Sequence, residues 1–334
     1  MARCQSQTLR SDLIHRHATK ETDTMNNASQ PAVGFIGLGS LGEGLCHSLV
    51  KAGFPVTVTD LNKASAQRLI AAGAQWSDDV AGVCRNAEVV ITVLPSPAVS
   101  RQVVEGPEGV LTHLKSGGIW IEMSTTDLED LKRLAALAKT RGISVLECPV
   151  TGGVHLANSG EITVLVGGEK DTFERVESLL GTMGGEIIYM GPMGNASVVK
   201  VVTNMLAFIH LVAAGEAMML PAKYGVDPDA TYRAIRASSG NSFVHETESK
   251  LILSGSYNVK FTMDLACKDL GLVNGIAEKL GVPLELGSIT QQIFRRARGL
   301  YGSQAQSPEV VRMLEQACGL ELRADGYPTE LVAE

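Results

Sequence analysis

The sequence predicts an α/β fold: a doubly wound, mostly parallel sheet in the first part of the chain and only helices in the second. Three observations predict it. Short strand-like apolar runs alternate with helix-like segments as far as residue 190. The alternation stops at Gly191-Pro192-Met193-Gly194, and no strand-like run follows. The 334 residues are 45% hydrophobic, enough to bury a core on each side of that break.

The first strand is Ala32-Val33-Gly34-Phe35-Ile36-Gly37, a short apolar run of the buried-strand kind. A helix follows over 40–52 and stops at Gly53, a C-cap residue. Pro55 to Asp60 reads as the second strand. Further strands are predicted at 88–94, 119–123, 143–147, 162–166 and 186–190, with helices at 63–72, 80–85, 128–140 and 171–180. Beyond the break, helices are predicted at 196–224, 228–237, 243–253, 263–280, 284–298 and 308–318.

Composition excludes several classes. With 29 Lys and Arg against 36 Asp and Glu, the chain carries a formal charge of -7 and no cationic block, so it lacks a footprint for nucleic acid. The most apolar run, 198–214, holds Lys200, Thr203, Asn204 and His210 and reads as a buried helix, not a bilayer span. Six scattered cysteines without CxxC or metal-ligand spacing read as thiols of a reducing cytoplasm. Residues 1–30 are polar and hold Arg3, Arg10, Arg16 and Lys20. They read as a flexible extension with Met25 as an alternative start; a transit peptide is the rival reading, weakened by Asp12, Glu21 and Asp23.

Gly37-Leu38-Gly39-Ser40-Leu41-Gly42 is a GxGxxG placed between a strand and a helix. In that context Gly37 makes the tight turn, Gly39 admits a pyrophosphate to the backbone, and Gly42 lets the helix pack closely. The helix start offers free N–H groups and the positive end of its dipole. The sheet is therefore Rossmann-type. Asp60 lies 18 residues after Gly42, at the end of the second strand. A carboxylate there accepts bonds from ribose hydroxyls and repels a 2′-phosphate, which favours NAD; nearby Lys63 keeps NADP open.

Lys200 is the only Asp, Glu, Lys or Arg between Ile187 and Gly215. Burial among Val198, Val199, Val201 and Val202 would lower its pKa toward a range useful for proton transfer. Asn204 lies four residues on, along the same helix face. The competing reading is a lysine that snorkels to water.

With these residues in hand, the sequence from Ala32 to about Leu320 resembles the β-hydroxyacid dehydrogenase family. That family includes 3-hydroxyisobutyrate dehydrogenase, tartronate semialdehyde reductase and, more distantly, 6-phosphogluconate dehydrogenase. The matching residues run in order: Gly37 to Gly42; Leu94-Pro95; Ser124-Thr125; Pro149-Val150-Thr151-Gly152-Gly153; Gly167-Gly168; Gly194, Lys200 and Asn204; Phe261 and Lys268-Asp269. The resemblance implies that Lys200 is the catalytic acid/base and that Asn204 orients the substrate. It places the substrate carboxylate on Ser124 and on Thr151-Gly152-Gly153, and lines the cofactor with Leu94-Pro95, Thr125 and Lys268. Departures from the family pattern fall at Thr151 (usually Ser), Glu122 (Asp), Ala196 (Gly), Leu156 (Gly) and Thr203 (Asn). They touch the pocket wall and spare the proton-transfer residues.

The resulting expectation is an NAD-dependent oxidoreductase acting on a short 3-hydroxy acid or its semialdehyde. It would be cytoplasmic, metal-free and a homodimer or homotetramer, with no nucleic-acid or membrane partner. Its expected parts are an extension (1–30), a dinucleotide-binding domain (31–193) and an all-helical substrate and dimerisation domain (194–334). An imine-reducing relative and a non-catalytic dinucleotide-binding module are the alternatives; Lys200 argues against the first.

Overall fold

Four-residue apolar runs such as Val33–Ile36 and Val89–Thr92 are buried along their whole length, which requires cover on both faces of the sheet they form. The computed structural model describes residues 30–333; the expected extension, apart from Gln30, and Cys4 lie outside the described residues. Nine strands make one sheet: β1 (Val33–Ile36), β2 (Val56–Thr59), β3 (Gln75–Trp76), β4 (Val89–Thr92), β5 (Ile119–Glu122), β6 (Ser144–Glu147), β7 (Val150–Thr151), β8 (Ile162–Gly168) and β9 (Gly184–Gly191). β1 to β6 are parallel in the order 3-2-1-4-5-6, the Rossmann order, and the strand order switches direction between β1 and β4. β6 and β7 then pair antiparallel with successive stretches of β8, and β9 adds parallel to β8.

Side chains alternate between two cores, as the strand period demands. Phe35, Val58, Ile91, Ile121 and Leu146 meet Leu45 and Leu49 of the helix Ser40–Lys51 and Phe173 and Leu180 of the helix Lys170–Met183. Val90, Trp120 and Val145 meet Leu131 and Leu134 of the helix Leu128–Thr140. At the carboxyl ends of three strands the register aligns Thr92, Glu122 and Glu147 in one row on this second face.

After β9 the chain is helical. The thirty-residue helix Asn195–Tyr224 is the axis of this part, packed by Phe243–Ser254, Met263–Leu280 and Glu285–Tyr301 around Phe208, Leu211, Leu270 and Phe294. Thr262 caps the helix Met263–Leu280, accepting from the Leu265 N–H at 3.4 Å. Residues 31–334 form one compact unit.

The structure corrects several boundaries. The predicted helix 63–72 is a 3-10 turn, Lys63–Ala66, followed by Gln67–Ala71, because Asn62 caps a tight first turn. The predicted helix 308–318 splits likewise into Ser307–Val311 and Arg312–Cys318. The two-residue strands β3 and β7 and the helices Pro97–Glu105, Val110–His113 and Val154–Ser159 are additional, too short or too Pro- and Gly-broken to show a period. The helix Asn195–Tyr224 is not buried all round. Lys200, Phe208, Leu211 and Met218 face inward, whereas Val202, Leu206, Leu220 and Tyr224 are exposed.

Candidate active site

The glycine-rich turn is built as its spacing requires. Gly37 has φ +91°, and a methyl on it would lie 2.2 Å from the Val93 carbonyl oxygen; one on Gly42 would lie 2.3 Å from the Gly37 carbonyl oxygen. Gly39 differs, since a methyl there meets nothing within 4 Å. The crowded glycines shape the loop, and the open side at Gly39 is where a ligand can approach. The helix Ser40–Lys51 has no side-chain cap, so its first-turn N–H groups stay available to an anion. Leu38 is buried, with its N–H donating to Asp60 Oδ2 at 2.6 Å, and Leu41 packs on the core below. Asp60 Oδ1 accepts from the Asn62 N–H at 2.8 Å. Each carboxylate oxygen keeps a lone pair for a ribose hydroxyl. These residues fit a dinucleotide.

Leu94 and Ser124 are tied together, the Leu94 N–H donating to Ser124 Oγ at 2.7 Å. The Ser124 N–H donates to Glu122 Oε1 at 2.8 Å. Glu122 is fully buried and its Oε2 has no hydrogen-bond partner, so desolvation pushes the carboxyl up to about 7 against the pull of its Ser124 bonds. Pro95, the next residue after Leu94, is exposed.

Lys200 is buried, 8% exposed, which decides against the snorkelling reading. Its Nζ donates to Asn204 Oδ1 at 2.7 Å, and Asn204 Nδ2 donates to Asp269 Oδ2 at 2.6 Å. Asp269 Oδ1 receives no well-angled hydrogen bond, and its charge is met by Lys268 Nζ at 3.1 Å. Lys268 Nζ also donates to the Thr125 carbonyl at 2.6 Å, joining the helix Met263–Leu280 to the end of β5. Burial lowers the Lys200 amine to about 8; Asp269 opposes the shift and Lys268 adds to it. Four side chains from two helices thus form one chain of contacts ending on the loop that follows β5.

Thr151, Gly152 and Gly153 lie at the end of β7 and in the turn that starts the helix Val154–Ser159. Gly152 and Gly153 hold φ of +125° and +95°. Leu156 and the His155 ring stand beside them, 2.8 Å and 3.2 Å from where methyl groups on Gly152 and Gly153 would lie. His155 stacks on Phe243 of the helical part, with ring centroids 6.4 Å apart. No hydrogen bond joins this turn to Lys200 among the described residues, although β7 and the Lys200 helix are in contact.

A surface hollow of about 470 Å³ lined by Pro97, Arg101, Asp127, Asp130, Arg133 and Leu272 contains none of the expected site residues. Both of its arginines are paired, Arg101 with Asp130 and Arg133 with Asp130 at 3.3 Å and with Glu105, outside the hollow, at 2.7 Å.

Sequence reasoning missed two buried carboxylates. Asp269 was noticed only as part of a motif, without a role. Glu147 was noticed only as the end of a strand, yet it is 1% exposed and receives the start of the Lys200 helix. An acidic residue closing a buried strand was the available signal.

Comparison with known proteins gives the same picture from another direction. Residues 32–191 match the NAD binding domain of 6-phosphogluconate dehydrogenase, and residues 194–314 match the family described as NAD-binding of NADP-dependent 3-hydroxyisobutyrate dehydrogenase. The chain is 32% identical to 2-(hydroxymethyl)glutarate dehydrogenase of Eubacterium barkeri, over 87% of this chain and 97% of that protein. It is 34% identical to the mitochondrial 3-hydroxyisobutyrate dehydrogenase of Rattus norvegicus, over 80% and 82%. The crystal structure of 3-hydroxyisobutyrate dehydrogenase from Salmonella typhimurium superposes with a TM-score of 0.80 at 29% identity, over 85% of this chain and 100% of that one.

The two kinds of glycine should separate in experiment. Gly39→Ala should keep the parent melting temperature within about 2 °C yet weaken NADH binding at least about tenfold. Gly42→Ala should lower stability by about 2 kcal/mol or more. Thermal melts and a fluorescence titration with NADH check both.

Proposed function

This chain belongs to the β-hydroxyacid dehydrogenase family and is a nicotinamide-dinucleotide-dependent hydroxyacid dehydrogenase; from that premise we propose that it uses NAD and oxidises a short 3-hydroxy acid, with Lys200 moving the proton. The carrying observation is the buried amine of Lys200, held by Asn204 and Asp269 in contact with the Lys268–Thr125 link. The nicotinamide, when bound, gives or takes the hydride. Lys200 does the complementary work. As a neutral amine it takes the hydroxyl proton during oxidation, and as an ammonium it returns a proton to the carbonyl oxygen during reduction. Asn204 keeps the amine in one direction, and Asp269 keeps the Asn204 amide in one orientation. Ser124 and the Thr151-Gly152-Gly153 turn bind the substrate carboxylate, through hydroxyls and backbone N–H groups. Leu94-Pro95, Thr125 and Lys268 border the cofactor.

The NAD preference rests on Asp60, whose charge opposes a 2′-phosphate. Lys63, the residue that favours NADP, is engaged with Asp78 at 3.9 Å and over the Trp76 ring at 5.2 Å. The substrates proposed are 3-hydroxyisobutyrate, glycerate or a four-carbon acid such as threonate. Lys200 favours this reading over an imine-reducing relative, and its buried hydrogen-bond chain favours it over a non-catalytic module. A cytoplasmic location is proposed from the free thiols of Cys46, Cys84 and Cys148, all buried. The exposed apolar residues Val202, Leu206, Leu286 and Ile289 lie on two adjacent helices and support a homodimer or homotetramer.

Turnover of a C3–C4 hydroxy-acid panel with NAD tests the reading. Oxidation kcat/KM should rise with pH through about 8 and then level, because the base is the deprotonated amine; reduction should fall above about 8. Lys200→Ala should lower kcat at least about 100-fold; unchanged turnover would refute the mechanism. Asp60→Asn, which keeps an acceptor for Leu38, should narrow the NAD-over-NADP preference at least about tenfold in steady-state kinetics. In sedimentation the chain should run as a dimer or larger, and Leu286→Glu with Ile289→Glu should shift it toward monomer.

A further inference from the structure

We propose that Glu147 is a positioning residue of this active site: its carboxylate, seated at the end of β6, receives the first turn of the helix Asn195–Tyr224 and thereby sets where the Lys200 amine lies. The inference rests on the reading of Lys200 as the proton-transfer group and assigns that group its second anchor.

Four donors converge on this one side chain. Glu147 Oε1 accepts from the Gly194 N–H at 2.6 Å and the Ala196 N–H at 3.0 Å. Oε2 accepts from the Ser197 N–H at 3.2 Å and from the Ser197 hydroxyl. The helix has no cap of its own: Gly194 stands at its N-cap position with φ +106° and supplies no side chain. A carboxylate from a different element therefore satisfies the orphan donors of the first turn, and its charge complements the positive end of the dipole.

That carboxylate has little freedom. Glu147 is 1% exposed and lies in the register row Thr92, Glu122, Glu147. On the opposite side it pairs with Gly167 of β8, where a methyl would lie 2.2 Å from Oε1. The glycine at 167 is the space the carboxylate occupies. A methyl on Gly194 would meet Lys132 Cε at 2.9 Å, so the entry to the helix is confined as well.

Lys200 is six residues beyond Gly194, roughly 9 Å along the axis at 1.5 Å per residue. Over so short a length a helix is stiff, and a slide or tilt at its start reaches the amine undiminished. A misplacement of about 1 Å at a reacting group can cost roughly 100-fold in rate. Asp269 holds the amine from the helical side through Asn204, and Glu147 holds the same helix from the sheet side. A glutamine at 147 would offer one acceptor oxygen and turn an NH₂ toward N–H groups that need acceptors.

The test uses the full chain carrying Glu147→Gln, with Lys200→Ala beside it. Amide exchange of the peptide spanning 192–204, read by mass spectrometry, reports the seat of the helix with or without substrate. Kinetics with glycerate, 3-hydroxyisobutyrate and threonate report the consequence. Expected for Glu147→Gln are exchange at least about tenfold faster over 194–198, kcat lower by at least about 30-fold, and a KM for NAD within about twofold of the parent. A folded Glu147→Gln chain with parental exchange and parental kcat overturns the inference. Turnover that survives Lys200→Ala overturns the acid–base reading; turnover lost there but kept in Glu147→Gln overturns the positioning role alone. Should none of the acids turn over, parental exchange in Glu147→Gln overturns the anchoring and faster exchange supports it. Should Glu147→Gln fail to fold, Gly167→Ala carries the same test. Its methyl displaces the carboxylate without removing it, and the same exchange and kcat changes are expected, their absence overturning the inference.

Discussion

An amine kept out of water is the constraint on which the rest of this structure depends. Holding Lys200 at about 8 instead of the ordinary 10.5 corresponds to roughly 3 kcal/mol of differential stabilisation of the neutral form. The folded pKa lies below the unfolded one, so between about 8 and 10.5 the unfolded chain binds more protons and stability rises with pH across that window. Below about 8 the fold carries the full cost of a buried cation. Asn204 and Asp269 offset part of it: Asn204 Oδ1 accepts directly from the ammonium, and Asp269 supplies a negative charge one residue further along. Full compensation by a carboxylate in direct contact would return the amine to the ordinary lysine range and remove its use as a base near neutrality. On the proposed acid–base role, the intervening amide is a compromise between stability and reactivity.

That compromise works only if the amine has a fixed address, and the two parts of the chain share the task. The strand part contributes Glu147 at the helix start and the Thr125 carbonyl for Lys268. The helical part contributes Asp269 and the apolar packing of Phe208 against Phe294, ring centroids 5.1 Å apart. The strand part and the helical part are therefore joined here by polar contacts, and each keeps a hydrophobic core of its own.

Much of this was legible in the sequence, for physical reasons that differ from residue to residue. The strand-and-helix alternation and the break after Gly191 follow from local period and turn chemistry, and both survive in the structure. Lys200 was conspicuous because charge is absent for a dozen residues on either side. Asp60 was readable because the spacing from the glycine turn is set by one helix and one strand. Glu147 was not readable as an anchor: its donors lie about fifty residues away, and register and crossover bring them together. The helix Pro97–Glu105 escaped notice because Ser96 and Pro97 start it where Pro suggests a break, although Ser96 in fact caps it. The exposure of Val202 and Leu206 could not be seen either. Apolar period marks a face that wants cover, without saying whether the cover comes from the same chain.

The departures from the family pattern now have locations, and they divide by consequence. Leu156 and His155 stand against the Gly152-Gly153 turn, and His155 stacks on Phe243 of the helical part. Among the described residues no hydrogen bond connects them with Lys200, Asn204 or Asp269. Glu122 lies elsewhere, beneath Ser124 and Leu94, where its extra methylene relative to the usual aspartate buries a carboxyl with one unpartnered oxygen. Changes at the first place alter the shape and polarity offered to a substrate side chain. Changes at the second act on the loops proposed to border the cofactor. Ala196 and Thr203 lie on the Lys200 helix itself, where the Ala196 N–H donates to Glu147 Oε1 and Thr203 Oγ1 donates to the Lys200 carbonyl at 2.8 Å; neither replaces Lys200, Asn204 or Asp269. On the proposed reading, substrate recognition falls to β7 and its turn and proton transfer to the long helix, so that the accepted acid and the proton chemistry draw on different elements.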